Sequence, residues 1–381
     1  MVPRTIEAVS ADEHPVLERG TFVLSRPHGT VTATGCLDSY SDPSAAIHAL
    51  ETHAVPAIVG ALPFRHEHSS ALAAPEAFER TSARWTAPTT LSTLGQFEVE
   101  SAPDSEHLDR ITTAVGVLAS TGSPLEKVVL ARRLMLSSDV EVDPLAVLAA
   151  LVASTPAGNG FCVDLTSAGD SFAGKSFVGS TPEVLIRKRG SSVTAHPLAG
   201  SAPRHTNVEE DWASGRALAE SAKDRKEHAF VVDALRETLS PFCDSLEIPD
   251  RPTLTHTPQL WHLGTPLVGR LRNPNVTSLE LALALHPTPA VCGTPTELAY
   301  ETIGELEGDR GFYGGAVGWC DAAGDGEWMV AIRCAEIAAD LRHLTAYAGG
   351  GIVAESDPEA ELAETVTKFG TILRALGVTT A

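Results

Sequence analysis

Apolar residues recur along this chain with two different periods. Across residues 1–100, short runs such as "TFVLS", "GTVTATG" and "AIVGAL" are cut by Pro, Gly and Ser, and predict strands. Residues 101–120 read as an amphipathic helix opened by Asp104 or Ser105, and 143–155 as another. Between them, "EKVVLARR" (126–133) is a strand, because Val128, Val129 and Leu130 form a β-branched, apolar run. The stretch 176–204 predicts a hairpin with strands "EVLIRK" and "SVTAHP" and its turn near "KRGSS". Residues 207–241 predict one long helix. "FYGGAVGWC" and "EWMVAIRCAEI" predict strands paired across "DAAGDGE". "HLTAYAGGGIV" follows, and then a last helix with Ser356 as N-cap, Pro358 in the first turn and Glu359 completing a capping box. Strand pairs mixed with long helices, without regular alternation, predict an α+β protein.

The totals narrow the class. A chain of 381 residues, 43% apolar, can bury one large core or two ordinary ones. A net charge of −21 argues against a nucleic-acid partner, and implies that an anionic substrate would need a local cationic pocket or a bound metal. Six scattered cysteines with no C-x-x-C argue against a disulfide framework or a zinc ribbon and suit a reducing cytosol. The first twenty residues lack an apolar core of signal-peptide length, and no segment is long and apolar enough to span a membrane. The expectation is a cytoplasmic protein.

Two features raise the question of chemistry. Lys127 shares a strand face with Val129 and Ala131. It is either a strand-end lysine with its ammonium in water, or a lysine in a cleft, where burial favours the neutral form that can act as a base. The last helix carries Glu361, Glu364 and Lys368 on one face beside an apolar stripe, and the 207–241 helix carries Asp224 and Glu227 in the same relation. These acids are either two solvated faces or one converging cluster. Converging carboxylates would repel, and an oxygen-only set without clustered His or Cys would suit Mg²⁺. Small residues in "HPLAGSA" (196–202) and "AGGG" (348–351) allow a ligand close to the backbone, although a plain turn explains the second better on its own.

Taken in order, "KVVLAR", "GSTPEVLIR", "HPLAGSA", "DRKEH", "HPTPAVCGTP", "FYGGAVGWCD", "EWMVAIRCAEI", "AGGGIV" and "ELAETVTK" resemble the chorismate-utilising enzymes over roughly residues 100–381. The resemblance implies a single α+β chorismate-binding domain, two antiparallel sheets packed as a sandwich with helices outside. Residues 1–100 would be a variable N-terminal part of that domain and 101–381 its catalytic core. It also implies Mg²⁺ held by Glu227 and Glu364, with Asp224 and Glu361 as further contacts. Tyr313 and Arg333 would hold the enolpyruvyl carboxylate of chorismate, since the Arg fork suits a carboxylate. Gly200, Ser201, Gly349, Gly351 and Lys368 would complete the substrate site, Lys127 would be the general base and Glu183 the general acid. His262, in "LWHLGTP", would lie near the site, with a structural role equally open.

Within the family the residues point to isochorismate formation. Ala199 stands where one branch carries a lysine nucleophile. "AGSA" (199–202), "HPTPAVCGTP" and "GWCDAAGDGEW" resemble the isochorismate-forming members. A salicylate-forming enzyme, which goes on to eliminate pyruvate, is the alternative. A silent chorismate-binding protein and an unrelated Mg²⁺ enzyme are the rivals of other classes. The resemblance further implies a monomer without a glutaminase subunit, and no membrane partner.

Overall fold

The computed structural model describes residues 17–89 and 91–378. Most of the stretch read for a signal peptide lies outside the described residues. Two large antiparallel sheets form the centre. The first runs, in spatial order, Gly293–Thr294, Lys127–Ser138, His343–Ile352, Cys334–Ile337, Ser176–Gly179, Gly160–Asp164, Phe22–Arg26, Gly29–Thr34 and Ala77–Thr81, with Phe97–Ser101 also paired to Lys127–Ser138. The second runs Cys243–Glu247, Leu267–Leu271, Ser192–His196, Val184–Arg189, Gly326–Val330, Ala316–Asp321, Ala57–Leu62, Ala71–Ala74 and Asp38–Tyr40. Strands from the first hundred residues pair directly with later ones. Phe22–Arg26 lies against Gly160–Asp164, and Ala57–Leu62 against Ala316–Asp321.

Alternation along the strands explains the layering. Phe22, Leu24, Phe161 and Phe177 of the first sheet meet Val59, Ala61, Val317 and Met329 of the second in one buried cluster. The opposite face of the first sheet packs on the helices Pro144–Ser154 and Pro358–Ala375. That of the second packs on Ala222–Leu239 and Ser278–Leu285. This is the sandwich with outer helices that the family resemblance implies. A small third sheet (Leu198–Pro203, Leu260–Gly264, Thr253–His256) carries its own minor core of Leu218, Trp261 and Leu263.

Four local expectations are corrected. The predicted helix over 207–241 is two helices, Val208–Glu220 and Ala222–Leu239. Ser221 leaves the helical region (ψ 120°) and its side chain caps the second helix at the Asp224 N–H. The last helix is capped by Asp357, whose side chain accepts from the Ala360 N–H, and not by Ser356. Ser356 instead accepts from the Val353 N–H and donates to Glu361. The helix Asp104–Leu118 starts after Pro103 with no side-chain cap, so neither Asp104 nor Ser105 opens it. "EWMVAIRCAEI" is two strands in different sheets, Gly326–Val330 and Cys334–Ile337, and the chain crosses between sheets at 331–333. The pairing across "DAAGDGE" is as expected.

Phe161 is fully buried, 5.4 Å from the Phe177 ring, between the sheets. Phe161→Ala should cost about 3–5 kcal/mol. Met135→Ala, on a side chain 53% exposed, should change stability by less than about 0.5 kcal/mol in the same urea titration.

Candidate active site

A cleft opens where the edge of the first sheet meets the third sheet and the helix Pro358–Ala375. Lys127 enters from the start of its strand, with the side chain fully buried and Nζ 3.0 Å from Glu227 Oε1. It is not a snorkelling lysine. Glu227 reaches it from Ala222–Leu239 across the Gly-rich strand His343–Ile352. A methyl group at Gly351 would lie 2.2 Å from Glu227 Oε1 and 2.9 Å from Lys127 Cε, so the contact exists only because that strand is bare there. Gly349 does the same for the Tyr313 hydroxyl, 2.8 Å from where a Cβ would stand. At Gly200 (φ 75°) a Cβ would sit 3.0 Å from that of Asp224.

Glu183 follows Pro182 at the irregular start of Val184–Arg189. It is buried, with one oxygen 3.4 Å from the donating Leu198 N–H. Burial pushes its carboxyl up to about 7, and the Leu198 N–H and the charges of Lys127 and Arg333 limit the rise. Arg333 sits at the crossing between sheets in the left-handed region (φ 52°), sparsely populated for a non-glycine residue, and is buried. Burial works against its charge, partly offset by Glu364, Tyr313 and Glu183. Tyr313 is buried and stacks on Tyr347 at 5.1 Å.

Three of the four acids are each held by a lysine. Glu227 is on Lys127, Glu361 is 2.6 Å from Lys223, and Glu364 is 2.5 Å from Lys368. Lys368 also donates to the Gly349 carbonyl at 2.7 Å. Burial pushes the Glu361 carboxyl up, and Glu364 adds to the push. Burial likewise raises Asp224, with Glu227 adding. Burial would raise Glu364 too, but Lys368, with the Ser201 hydroxyl and Lys223, outweighs it and holds that carboxyl low. Among the described residues, no three acidic, His or Cys groups stand close enough together to form a ready metal cluster.

Of the residues singled out from sequence, Glu183, Gly200, Ser201, Glu227, Tyr313 and Arg333 line one cavity, as do Gly349, Gly351, Glu364 and Lys368. Lys127 lies just behind this lining, and Asp224 and Glu361 sit at its margin through Gly200 and Lys223. His262 also lines the cavity, kept neutral by burial, which pushes it down to about 3. Sequence reasoning missed Lys223 and Tyr347. The signal for Lys223 was its position four residues before Glu227 on one helix face. Tyr347 carried none.

A buried lysine, a carboxyl kept partly neutral and a fixed guanidinium around one cleft can perform acid–base chemistry on a carboxylate-bearing substrate. Comparison with known proteins defines the class. A family model described as "Chorismate binding enzyme" matches residues 65–377, and the chain belongs to that family. A Mycobacterium tuberculosis relative, provisionally named isochorismate synthase MenF, is 50% identical over 359 residues, 94% of this chain and 96% of its own length. The isochorismate synthase DhbC of Bacillus subtilis is 39% identical, covering 94% of each chain. A crystal structure from Bacillus anthracis, provisionally described as a 2,3-dihydroxybenzoate-specific isochorismate synthase, superposes with a TM-score of 0.87 at 37% identity, over 97% of this chain and 98% of its own.

Gly351→Ala should overpack the Lys127–Glu227 contact and lower stability by about 1–3 kcal/mol. At Gly350 an added methyl would lie 3.3 Å from Glu361 Oε2, and Gly350→Ala should cost less than Gly351→Ala in the same denaturation series.

Proposed function

We propose that this chain converts chorismate to isochorismate. The observation that carries the reading is the pair Lys127 and Glu183 at one cleft: a fully buried lysine, and a carboxyl that burial pushes up to about 7. Lys127 takes a proton from a water that attacks C2 of the ring. The double bonds shift, and the C4 hydroxyl leaves with the proton of Glu183 as water. One water enters and one departs, so substrate and product are isomers. Tyr313 and Arg333 hold the enolpyruvyl carboxylate, and the bare backbone at Gly200, Gly349 and Gly351 admits the ring.

Glu227 and Glu364, with Asp224 and Glu361 beside them, are the residues that would hold Mg²⁺. The fit rests on donor chemistry: carboxylate oxygens only, with Asp224 and Glu361 each raised partly by a neighbouring carboxylate. When bound, Mg²⁺ supplies positive charge opposite the ring carboxylate. Lys127, Lys223 and Lys368 each pair with one of these protein carboxylates. The free state of all six cysteines supports work in the reducing cytoplasm, and Ala199, where one branch of the family carries a lysine nucleophile, supports water as the nucleophile.

Incubation with chorismate and Mg²⁺, followed by chromatography, should give isochorismate without stoichiometric pyruvate in a lactate-dehydrogenase-coupled assay. Excess EDTA should abolish it. Stoichiometric pyruvate with fluorescent salicylate would overturn the isochorismate reading, and full activity in EDTA would overturn the metal reading.

A further inference from the structure

The strand that carries Lys127 has an unfinished edge. On one side it pairs along its length with His343–Ile352, from Val128 to Ser137. On the other side Gly293–Thr294 covers Lys127 and Val128, and Phe97–Ser101 covers Leu134 to Ser138, which leaves 129–133 between them without a strand partner. Just beyond, the Val129 N–H still reaches the Cys292 carbonyl at 2.7 Å, and then the neighbouring backbone turns away. The Val129 carbonyl and the Ala131 N–H point to this same side. Buried backbone groups left without partners would cost about 1–3 kcal/mol each, and here they would sit beside the catalytic lysine.

Two side chains fill the gap. Glu307 Oε1 accepts from the Ala131 N–H at 2.6 Å, and Arg310 Nη2 donates to the Val129 carbonyl at 2.6 Å. They are locked to each other by two further hydrogen bonds, Arg310 Nε to Glu307 Oε2 at 2.8 Å and Nη2 to Oε1 at 2.7 Å. Their side chains are 2% and 5% exposed. Between them they offer one acceptor and one donor to alternate residues of the strand, which is what a neighbouring strand would offer. Arg310 has a second task. Its Nη1 donates to the Val291 carbonyl at 2.8 Å, and its guanidinium lies over the Phe64 ring at 4.6 Å and near the Tyr313 ring at 5.8 Å. Val129, Val291 and Tyr313 all line the cleft.

We propose that the buried Arg310–Glu307 pair is a positioning element for the reaction, standing in for a missing strand and fixing the Lys127 strand, the Val291 loop and Tyr313 relative to one another. An ion pair does this where an apolar pair could not, because the groups to be satisfied are a carbonyl and an N–H. Neither residue faces the cavity, so they act through the groups they hold. The inference rests on Lys127 being the base, and a Lys127→Ala control run alongside keeps the two claims separable.

The test separates positioning from plain stability. Arg310→Lys keeps the charge, but one ammonium cannot span the Val129 carbonyl, the Val291 carbonyl and both Glu307 oxygens. Its kcat should fall about 10- to 100-fold, since displacements of about 1 Å carry losses of that size, while KM for chorismate changes less than about threefold. Glu307→Gln retains an oxygen for the Ala131 N–H and should keep a kcat several-fold above that of Glu307→Ala. All are assayed at a temperature where circular dichroism shows them folded. A folded Arg310→Lys with a kcat within about twofold of wild type, even with a lowered Tm, would overturn the proposal. If Arg310→Lys does not fold, the Glu307 variants decide: equal kcat for Gln and Ala overturns it, and rescue by Gln supports it.

Discussion

An ammonium group buried to zero exposure is the constraint around which this molecule is arranged. Removing a lysine charge from water costs several kcal/mol unless a partner meets it, and at Lys127 the partner is Glu227 at 3.0 Å. That contact demands the rest. It needs a strand that starts at the cleft, a helix that brings a carboxylate across the sheet, and a glycine at 351 so that the two can meet over the backbone between them. The same enclosure disfavours the charge of Glu183, whose carboxyl it pushes up to about 7. One environment thus prepares a lysine held by a carboxylate and a carboxyl that keeps its proton near neutrality, which is how acid and base roles are divided between groups in one cleft.

The surrounding charges follow from the same enclosure. Four acids crowd two helices beside the cleft, and each of Glu227, Glu361 and Glu364 has its own lysine. A protein of net charge −21 therefore presents a locally balanced, cation-bearing site to a dianionic substrate. Arg333 adds a guanidinium at the point where the chain crosses between sheets, in a backbone conformation that a continuous strand would not allow.

Much of this was legible from the residues, for a physical reason. Period-two alternation marks strands wherever one face is buried, and it located the Lys127 strand, the hairpin around Gly190 and the paired strands across "DAAGDGE". Helical spacing put Glu361 beside Glu364 and Asp224 beside Glu227. What escaped were features set by partners distant in sequence. Ser221 breaks the predicted helix over 207–241 because its side chain caps a new one, which a periodic apolar stripe does not reveal. Ser356 lost the cap to Asp357 because Glu361 and the Val353 N–H claim its hydroxyl. "EWMVAIRCAEI" divides because its halves belong to different sheets. The strand edge completed by Glu307 and Arg310, more than 170 residues from Ala131, has no local signature at all.

The most direct test is kcat for Lys127→Ala, beside Glu183→Gln, on protein shown to be folded by circular dichroism. Loss of a general base or acid removes about 10²–10⁴-fold, so both variants should turn over chorismate at least about a hundred times more slowly, with the fall in kcat rather than in binding. Lys127→Ala retaining more than about a tenth of wild-type kcat would contradict the assignment of the buried lysine as the base.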